Sequence, residues 1–365
     1  MLSRGFVANN ERTVFTTETL SEFEQFKSSL NGSGNTVIIG THSGTFHGDE
    51  VLATLLLKYL PKAGNSVVVR TRNNAILDQC DIVCDVGGKY DPSTNRYDHH
   101  MKEFTVCYDD ENKIKMSSAG LIYKHLGKNI IINILDKYGW LEQNKTHIDE
   151  IIRKLYMNFI MMVDAVDNGI NAYPDNLKPK YINNTSYASR IARLNPEWNV
   201  SDVDVNERFK KAWDIAEEEL YYHFVHLANG YFIAYDIVHK AVKERFNVHG
   251  SGNVIHLEQY CPWKEILFNI EKTEQIEGMI KFVVFMNQNG EYTISTVPVT
   301  LGNFAYRKGL PKLWRGLRDD VLKEKSGIGD MVFVHVSGFI GAARSYESAM
   351  KVVEVALSEN DNENK

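Results

Sequence analysis

The sequence lacks the marks of disulfide-rich, zinc-knuckle and membrane proteins. Its four cysteines, Cys80, Cys84, Cys107 and Cys261, include no CxxC pair. This argues against a structural zinc knuckle or a disulfide framework and favours a reducing compartment. No apolar run approaches the length of a membrane span, and the N-terminus has no signal-peptide apolar region. We therefore expect an intracellular protein with no membrane partner, and the N-terminus does not decide among nucleus, mitochondrion and cytoplasm.

Positive charge is also not in excess. The 365 residues carry a net charge of -6, so long-range attraction to nucleic acid or to an anionic membrane is not the main design. No repeat of fixed period is present, which excludes solenoids and propellers. The hydrophobic content of 43% is ordinary for a globular protein, and the length allows two domains with a core each.

The first half of the chain has an α/β pattern. The runs "TVIIGT", "SVVVRT" and "DIVCDVGG" predict short strands, and "DEVLATLLLKYLP" predicts a helix between the first two. A second helix is expected in "MSSAGLIYKHLG", with Ser117 or Ser118 at its N-cap and Gly127 at its end. Strands and helices at this spacing predict a mostly parallel sheet with flanking helices.

The pattern changes twice further along. Residues 147 to 245 have apolar residues at helical spacing, and after "HGSGN" the segments alternate as strands do. One pair of strands should form a hairpin that turns at Asn289 and Gly290. The predicted organisation is an N-terminal extension (1–35), an α/β catalytic domain with a helical connector (36–245), a smaller C-terminal α/β domain (246–358) and a polar tail (359–365).

Acidic residues and histidines cluster where predicted strands end. Open α/β sheets place their sites at that edge, and carboxylates with neutral imidazoles from several elements are what a two-metal site requires. The clusters are His42, His47 and Asp49; Asp85; Asp98, His99 and His100; and Asp164 with Asp167.

Each cluster alone has an ordinary structural explanation. His42 could be a core histidine, and Asp49 could interact with a helix dipole, for a gain of roughly 0.3 to 1 kcal/mol. Asp85 before two glycines could be a turn residue, and the acids of "DAVDNG" could bond locally. Their joint order and placement favour a shared site, because all of the separate explanations would otherwise have to hold together.

The order of these clusters resembles that of the DHH phosphoesterase superfamily. Within it, the sequence is similar to the melanocyte-proliferating-gene protein family, a group of 3'-to-5' RNA exonucleases. The similarity runs from about residue 37 to 355. It rests on "GTHSGTFHGDE", "CDVGGKYDPSTNRYDHHMKEF", "SSAGLIYKHLG", "DAVDNGI", "SRIARLNPEWN", "LPKLWRGLRDD" and "VHVSGFIGAARSYESAM".

The resemblance implies roles for individual residues. His100 would contact substrate phosphate, and Asp98 would orient its neighbours as part of the catalytic machinery. Asp164 and Asp167 compete for the last metal-ligand position. The implied metal ligands are His42, His47, Asp49, Asp85, His99 and one of those two aspartates.

His47 stands where many members of the superfamily have an aspartate. An imidazole in place of a carboxylate removes a negative charge, which favours Mn²⁺ over Mg²⁺ as the divalent cofactor. It could also lower the affinity of the site for the second ion.

The second domain is predicted to hold the substrate. Residues 307 to 325 carry seven Lys or Arg residues against three acids, although a solvated helix face explains this about equally well. In "SGFIGAAR", Gly338 and Gly341 would let backbone amides approach an anion. Arg315 and Arg344, and more weakly Arg190, are candidates for phosphate or base contacts.

These features predict a metal-dependent phosphodiesterase that uses two ions, and the family resemblance implies a 3'-5' exoribonuclease that acts on single-stranded RNA ends. One alternative is another phosphoesterase of this type, acting on pyrophosphate, short oligonucleotides or cyclic dinucleotides. The other is a non-catalytic RNA-binding protein. Homo-oligomerisation is left open.

Overall fold

The protein is described from a computed structural model that covers residues 13–30, 36–60, 65–174 and 176–359. Residues 1–12 and 31–35 of the predicted extension, and 360–365 of the predicted tail, lie outside these described residues. The chain divides into two compact units, 1–229 and 230–365. The predicted boundary near 246 lies further along the chain than this division. Within the described ranges, no helix is both long enough and apolar enough to cross a membrane.

The first unit contains a six-stranded sheet in the order β1-β3-β2-β4-β6-β5. All neighbouring strands pair in parallel except β5 and β6, which are antiparallel. The mostly parallel sheet confirms the predicted α/β class. The strands are β1 (Thr13–Thr16), β2 (Val37–Thr41), β3 (Ser66–Arg70), β4 (Ile82–Cys84), β5 (Tyr90–Asp91) and β6 (Arg96–Tyr97).

Helices accompany this sheet. They are α1 (Leu20–Leu30), α2 (Gly48–Leu57), α3 (Asn74–Leu77), α4 (Ser118–Lys137), α5 (Leu141–Asn144), α6 (Ile148–Leu155), α7 (Met161–Asp167), α8 (Tyr187–Ala192) and α9 (Val205–His226). A π-helical turn, Tyr156–Ile160, joins α6 to α7 without a break. Turns of this kind occur often at functional sites.

Helix α4 begins where the sequence predicted but does not end at Gly127. Ser117 is its N-cap residue, and the helix continues to Lys137. Gly127 lies inside the helix, where a Cβ would lie 3.4 Å from the Tyr123 ring. The apolar residues that follow, such as Ile130 and Ile134, are buried on one helical face. Burial of that face outweighs the roughly 1 kcal/mol cost of an interior glycine.

The described part of the predicted extension packs onto the sheet. Strand β1 pairs with β3 in parallel register, Thr13 opposite Val67. Phe23 of α1 is fully buried in one apolar cluster with Ile38 and Val69. Residues 13–30 are therefore an integral layer of the first unit.

The second unit contains a five-stranded sheet in the order β10-β11-β9-β8-β7, in which only β7 and β8 are parallel. The hairpin predicted at Asn289 and Gly290 is confirmed, since it joins β8 to β9. The elements are α10 (Phe232–Lys243), α11 (Arg245–Val248), β7 (Val254–Leu257), α12 (Lys264–Thr273), β8 (Phe282–Met286), β9 (Tyr292–Thr296), α13 (Asp319–Ser326), β10 (Met331–Val334), β11 (Ile340–Ala343) and α14 (Tyr346–Ser358).

Candidate metal centre

The candidate site lies at the carboxyl edge of the first sheet. His42 directly follows β2, Asp85 directly follows β4, and His99 lies two residues beyond β6. Because these strands are parallel neighbours, their ends meet at one edge and bring the three side chains together. Asp85 has φ 60°, in the left-handed region. A non-glycine residue in this region is uncommon, and such conformations concentrate at functional sites.

Asp85 stands between two imidazoles. Its Oδ2 is 3.4 Å from His42 Nε2, and its Oδ1 is 3.3 Å from His99 Nε2. The two oxygens of one carboxylate thus face two different sets of nitrogen and oxygen donors, which is the arrangement of a bridging ligand. The groups whose donor atoms lie close enough to share a cation are His42 with His47 and Glu50; Asp85 with His99 and His100; and Asp49 with His99 and Asp167.

Buried atoms without partners support a metal at this place. Asp85 Oδ1 and His99 Nε2 are buried and form no well-oriented hydrogen bond among the described residues, although they lie 3.3 Å apart and His99 Nε2 lies 3.0 Å from Asp167 Oδ2. Such groups cost roughly 1 to 3 kcal/mol each when they stay unsatisfied. A divalent cation would satisfy both, and mixed imidazole and carboxylate donors suit a divalent transition ion. The residues present therefore fit a metal.

The charges of the site also favour a cation. Burial lowers the pKa of His42, but its contacts with Asp85 and Glu50 raise that pKa to about 10 overall. Burial likewise opposes protonation of His99, and Asp167 and Asp85 raise its pKa to about 10. The pKa of Asp85 is lowered despite its burial, because both histidines contact it. The carboxylates thus attract protons wherever a cation does not balance them.

Asp98 braces the loop that carries both histidines. Its Oδ1 accepts hydrogen bonds from the backbone N–H groups of His99 and His100, at 2.8 and 3.2 Å. Its Oδ2 accepts from Gly88 N at 2.6 Å. His100 Nδ1 is 2.8 Å from Asp98 Oδ1, so a shared proton on Nδ1 leaves Nε2 free to face the cavity. His100 is 63% exposed in its side chain, whereas Asp98 is buried.

The structure separates the two aspartates of "DAVDNG". Asp167 Oδ2 lies 3.0 Å from His99 Nε2. Asp164 points instead to the start of α4, where its carboxylate accepts from Ser117 N (2.9 Å), Ser117 Oγ (2.8 Å) and Tyr156 Oη (2.9 Å). A Cβ on Gly120 would lie 2.3 Å from Asp164 Oδ1. Asp167 is thus placed among the candidate ligands, and Asp164 holds two helices together.

Asp49 links the site to α4 as well. Its carboxylate accepts from Ser117 Oγ at 2.7 Å, Ser118 N at 3.1 Å and Ala119 N at 2.6 Å. Its Oδ2 remains 3.8 Å from His99 Nε2. Burial, and next the charges of Asp85 and Asp167, raise the pKa of Asp49. Asp49 is therefore both a candidate ligand and an anchor for the helix N-terminus.

Two residues of the site were missed from the sequence. Glu50 is fully buried, and its Oε1 lies 2.9 Å from His42 Nε2 and accepts from His47 N at 2.9 Å. The signal was the spacing of "HGDE", which puts a glutamate three residues after a helix N-cap, the position of a capping box. Arg72, at the end of "SVVVRTR", lines the cavity beside His42. No sequence signal distinguished it from other basic residues near strand ends.

A cavity of about 680 Å³ opens at this edge. Its wall includes His47, His100 and Asp167, and α8 contributes Tyr187 and Ser189. The volume is in the usual range for a small-molecule pocket. The site can therefore admit a group of the size of a nucleotide next to the candidate ligands.

Of the residues predicted to bind substrate, Arg190 belongs to the first unit and the others belong to the second. Arg190 forms ion pairs with Glu219 and with Glu218. Arg315 donates from Nε to Leu310 O at 2.9 Å and lies against Gly338, which has φ 73°. Arg344 is exposed.

Gly341 lies inside β11 rather than in a loop. It pairs with Val334 and Ile294 on either side, and a Cβ there would meet Leu310 and the Phe333 carbonyl at 3.0 Å. Its backbone is thus engaged in the sheet. The predicted role of these residues in substrate binding stays a prediction.

Comparison with known proteins gives a consistent family. The profile of the MYG1 exonuclease family, described as Uncharacterised protein family (UPF0160), matches residues 38–357. The MYG1 exonuclease of Mus musculus is 40% identical over 88% of this chain and 85% of its own length. The Homo sapiens MYG1 exonuclease is 41% identical, covering 88% and 86%. The MYG1 protein of Dictyostelium discoideum is 38% identical, covering 88% and 97%. This chain belongs to the MYG1 exonuclease family.

Proposed function

We propose that the protein is a metal-dependent phosphodiesterase of the DHH type that removes nucleotides from the 3' end of single-stranded RNA. The observation that carries the proposal is the position of Asp85, whose two oxygens face separate groups of candidate ligands at 3.3 to 3.4 Å. The exonuclease names of the mouse and human relatives support the reaction class. The RNA substrate and the 3'-to-5' direction are part of the proposal.

Two divalent ions, when bound, would supply a hydroxide near neutral pH and Lewis-acid stabilisation of the phosphoryl oxygens. His42, His47 and Glu50 would hold one ion, and Asp49, His99 and Asp167 the other. Asp85 would contact both. The nitrogen donors favour Mn²⁺ over Mg²⁺, since Mg²⁺ prefers oxygen ligands and water.

The remaining residues of the site would handle the phosphate. Asp98 fixes the ring of His100 through Nδ1, so that Nε2 of His100 can donate a hydrogen bond to a phosphate oxygen in the cavity. Such a donor stabilises charge that develops on phosphorus oxygens. Asp49 and Asp164 keep the N-terminus of α4 against the site.

The test is a nuclease assay on one RNA with a free or a blocked 3' end, in Mn²⁺, in Mg²⁺ and in chelator. We expect mononucleotide release from the free end with Mn²⁺, less with Mg²⁺, and none with chelator. Asp85→Asn and His99→Ala should lower the rate at least about 100-fold. His125→Ala, which changes an exposed histidine outside the candidate ligand groups, is the matched control and should retain activity.

Three results would contradict the proposal, and each would favour a different function. Equal cleavage of the blocked RNA would indicate an endonuclease or the opposite polarity. Release of phosphate from pyrophosphate, without RNA cleavage, would indicate another member of the phosphoesterase group. RNA binding that survives Asp85→Asn, with no hydrolysis of any of these substrates by the wild type, would indicate a non-catalytic RNA-binding protein.

A further inference from the structure

Arg72 is the one arginine or lysine among the described residues that line the cavity. The other ionisable side chains of the wall are carboxylates and imidazoles, including Asp85, Asp98 and Asp167, and Tyr187 and Ser189 contribute hydroxyl groups. Guanidinium Nη2 of Arg72 lies 3.4 Å from Nδ1 of His42. A permanent cation is therefore held at the rim of an acidic site, beside a candidate metal ligand.

The guanidinium of Arg72 has no acceptor that it can keep when His42 binds a metal. His42 Nδ1 is 3.1 Å from the carbonyl oxygen of Ser43. A proton on Nδ1 would be donated to that oxygen and would leave Nε2 free as a metal ligand, which is the usual arrangement of a ligating histidine. Nδ1 then cannot accept from Arg72. Across the described parts of the chain, the Arg72 side chain makes no other hydrogen bond or ion pair.

Glu18 holds the backbone of Arg72 in place. Its carboxylate accepts from Arg72 N at 3.0 and 3.2 Å, from Ser43 Oγ at 2.6 Å and from Thr71 Oγ1 at 3.1 Å. Its backbone carbonyl accepts from Asn73 Nδ2 at 3.0 Å. One side chain, from the segment between β1 and α1, thus ties the loop after β2 to the loop after β3. These hydrogen bonds lower the pKa of Glu18 although burial opposes them.

We propose that Arg72, together with His100, binds the non-bridging oxygens of the scissile phosphate, and that Glu18 is the residue that positions Arg72. This inference rests on the proposed phosphodiesterase function. A guanidinium presents two parallel N–H donors to a phosphate, which matches its geometry better than an ammonium does. Its charge offsets the charge that grows on the phosphoryl oxygens in the transition state.

The test uses the full chain loaded with Mn²⁺ and the small diester bis(p-nitrophenyl) phosphate. We expect Arg72→Ala to lower kcat/KM about 100-fold or more, and Arg72→Lys to recover only part of the loss. Added guanidinium ion should partly restore the Ala variant. Mn²⁺ affinity, measured by calorimetry, should stay within a few-fold of wild type. Arg193→Ala, at an exposed arginine that does not line the cavity, is the matched control.

Glu18→Gln and Glu18→Ala test the positioning role. Both should lower kcat on the same diester by about 10-fold, with Mn²⁺ affinity kept, and the Gln variant should lose less because its amide oxygen can still accept from Arg72 N. Thermal melting of each variant identifies simple misfolding. A Glu18→Ala protein that melts as wild type and keeps full kcat would overturn the role of Glu18.

The outcome for Arg72 is distinguishable from that of the proposed function. If the wild type hydrolyses the diester and Arg72→Ala does so equally well, the assignment of Arg72 is wrong and the function stands. If the wild type hydrolyses neither this diester nor RNA, the proposed function is wrong. Inorganic phosphate binding to the Mn²⁺-loaded wild type and Arg72→Ala proteins then decides the assignment, which equal affinity would overturn.

Discussion

Replacement of Asp164 should lower the free energy of unfolding of the first unit far more than replacement of Asp167, although the two residues are only three positions apart in the chain. Asp164→Ala removes the acceptor of Ser117 N, Ser117 Oγ and Tyr156 Oη. The Ser117 hydroxyl keeps Asp49 Oδ1 at 2.7 Å, so two buried donors lose their partner. At roughly 1 to 3 kcal/mol for each, the free energy of unfolding should fall by about 2 to 6 kcal/mol.

The comparison needs two conservative variants and metal-free protein. Asp164→Asn keeps one acceptor and the volume, and should cost about 1 to 2 kcal/mol. Asp167 is partly exposed and contacts His99. The Asp167→Asn variant should therefore keep a free energy of unfolding within about 1 kcal/mol of wild type but bind Mn²⁺ at least about 10-fold more weakly. Urea unfolding followed by circular dichroism and by tryptophan fluorescence gives the stabilities, and calorimetry gives the affinities.

The pH dependence provides an independent check on Asp164. Burial raises its pKa to about 6, against the opposing bonds from Ser117 and Tyr156. A carboxyl whose pKa is raised on folding adds stability below its unfolded pKa, and that stability is lost as the pH rises through about 6. Asp164→Asn is neutral at every pH. Its deficit relative to wild type should therefore be larger near pH 5 than near pH 8. A deficit independent of pH, together with wild-type stability of Asp164→Ala, would refute the reasoning.

Three further predictions follow from other contacts. Gly120→Ala should destabilise the protein by about 2 kcal/mol or more, because the new Cβ would lie 2.3 Å from Asp164 Oδ1; a thermal melt at the wild-type temperature would contradict this. Glu271→Ala should cost about 3 to 5 kcal/mol in the second unit, since it leaves Arg307 buried without the acceptors now at 2.6 and 2.7 Å, and hydrogen exchange of β8 should report the loss. Mn²⁺ affinity should rise with pH between about 6 and 9, because His42 and His99 have a pKa of about 10 without metal and must lose a proton to bind it; equal heats of binding in buffers of different ionisation enthalpy would show that no proton is released.

The elements that carry the site could be predicted because their signals are local. The apolar runs of β2, β3 and β4 and the acidic first turn of α2 were sufficient to place His42, Asp49 and Asp85 at one sheet edge. Helix α4 continues past Gly127, because burial of the apolar face that follows outweighs the tendency of the glycine to end a helix. The prediction considered the glycine alone. Strand β1 was missed because its stability comes from pairing with β3, a partner about fifty residues away in the chain.

The roles within the site depended on contacts that the sequence does not contain. Asp164 and Asp167 share a helical face, so their spacing could not distinguish their roles. The sequence does not show that Asp164 accepts hydrogen bonds from Ser117 at the N-terminus of α4. Glu50 resembled an ordinary capping residue, and only its distance to His42 makes it a candidate ligand. Arg190 was a candidate because it lies in the family-like segment "SRIARLNPEWN". In the structure its guanidinium forms ion pairs with Glu218 and Glu219.

The π-helical turn at Tyr156–Ile160 sets the direction in which the side chains of α7, which follows it directly, point around the helix axis. An α-helix advances about 100° per residue, so loss of one residue from this wide turn would swing the downstream aspartates a quarter-revolution or more away from their partners. Insertions and deletions between residues 156 and 160 should therefore be far less tolerable than at either end of the helix, even though none of these five residues is a candidate metal ligand.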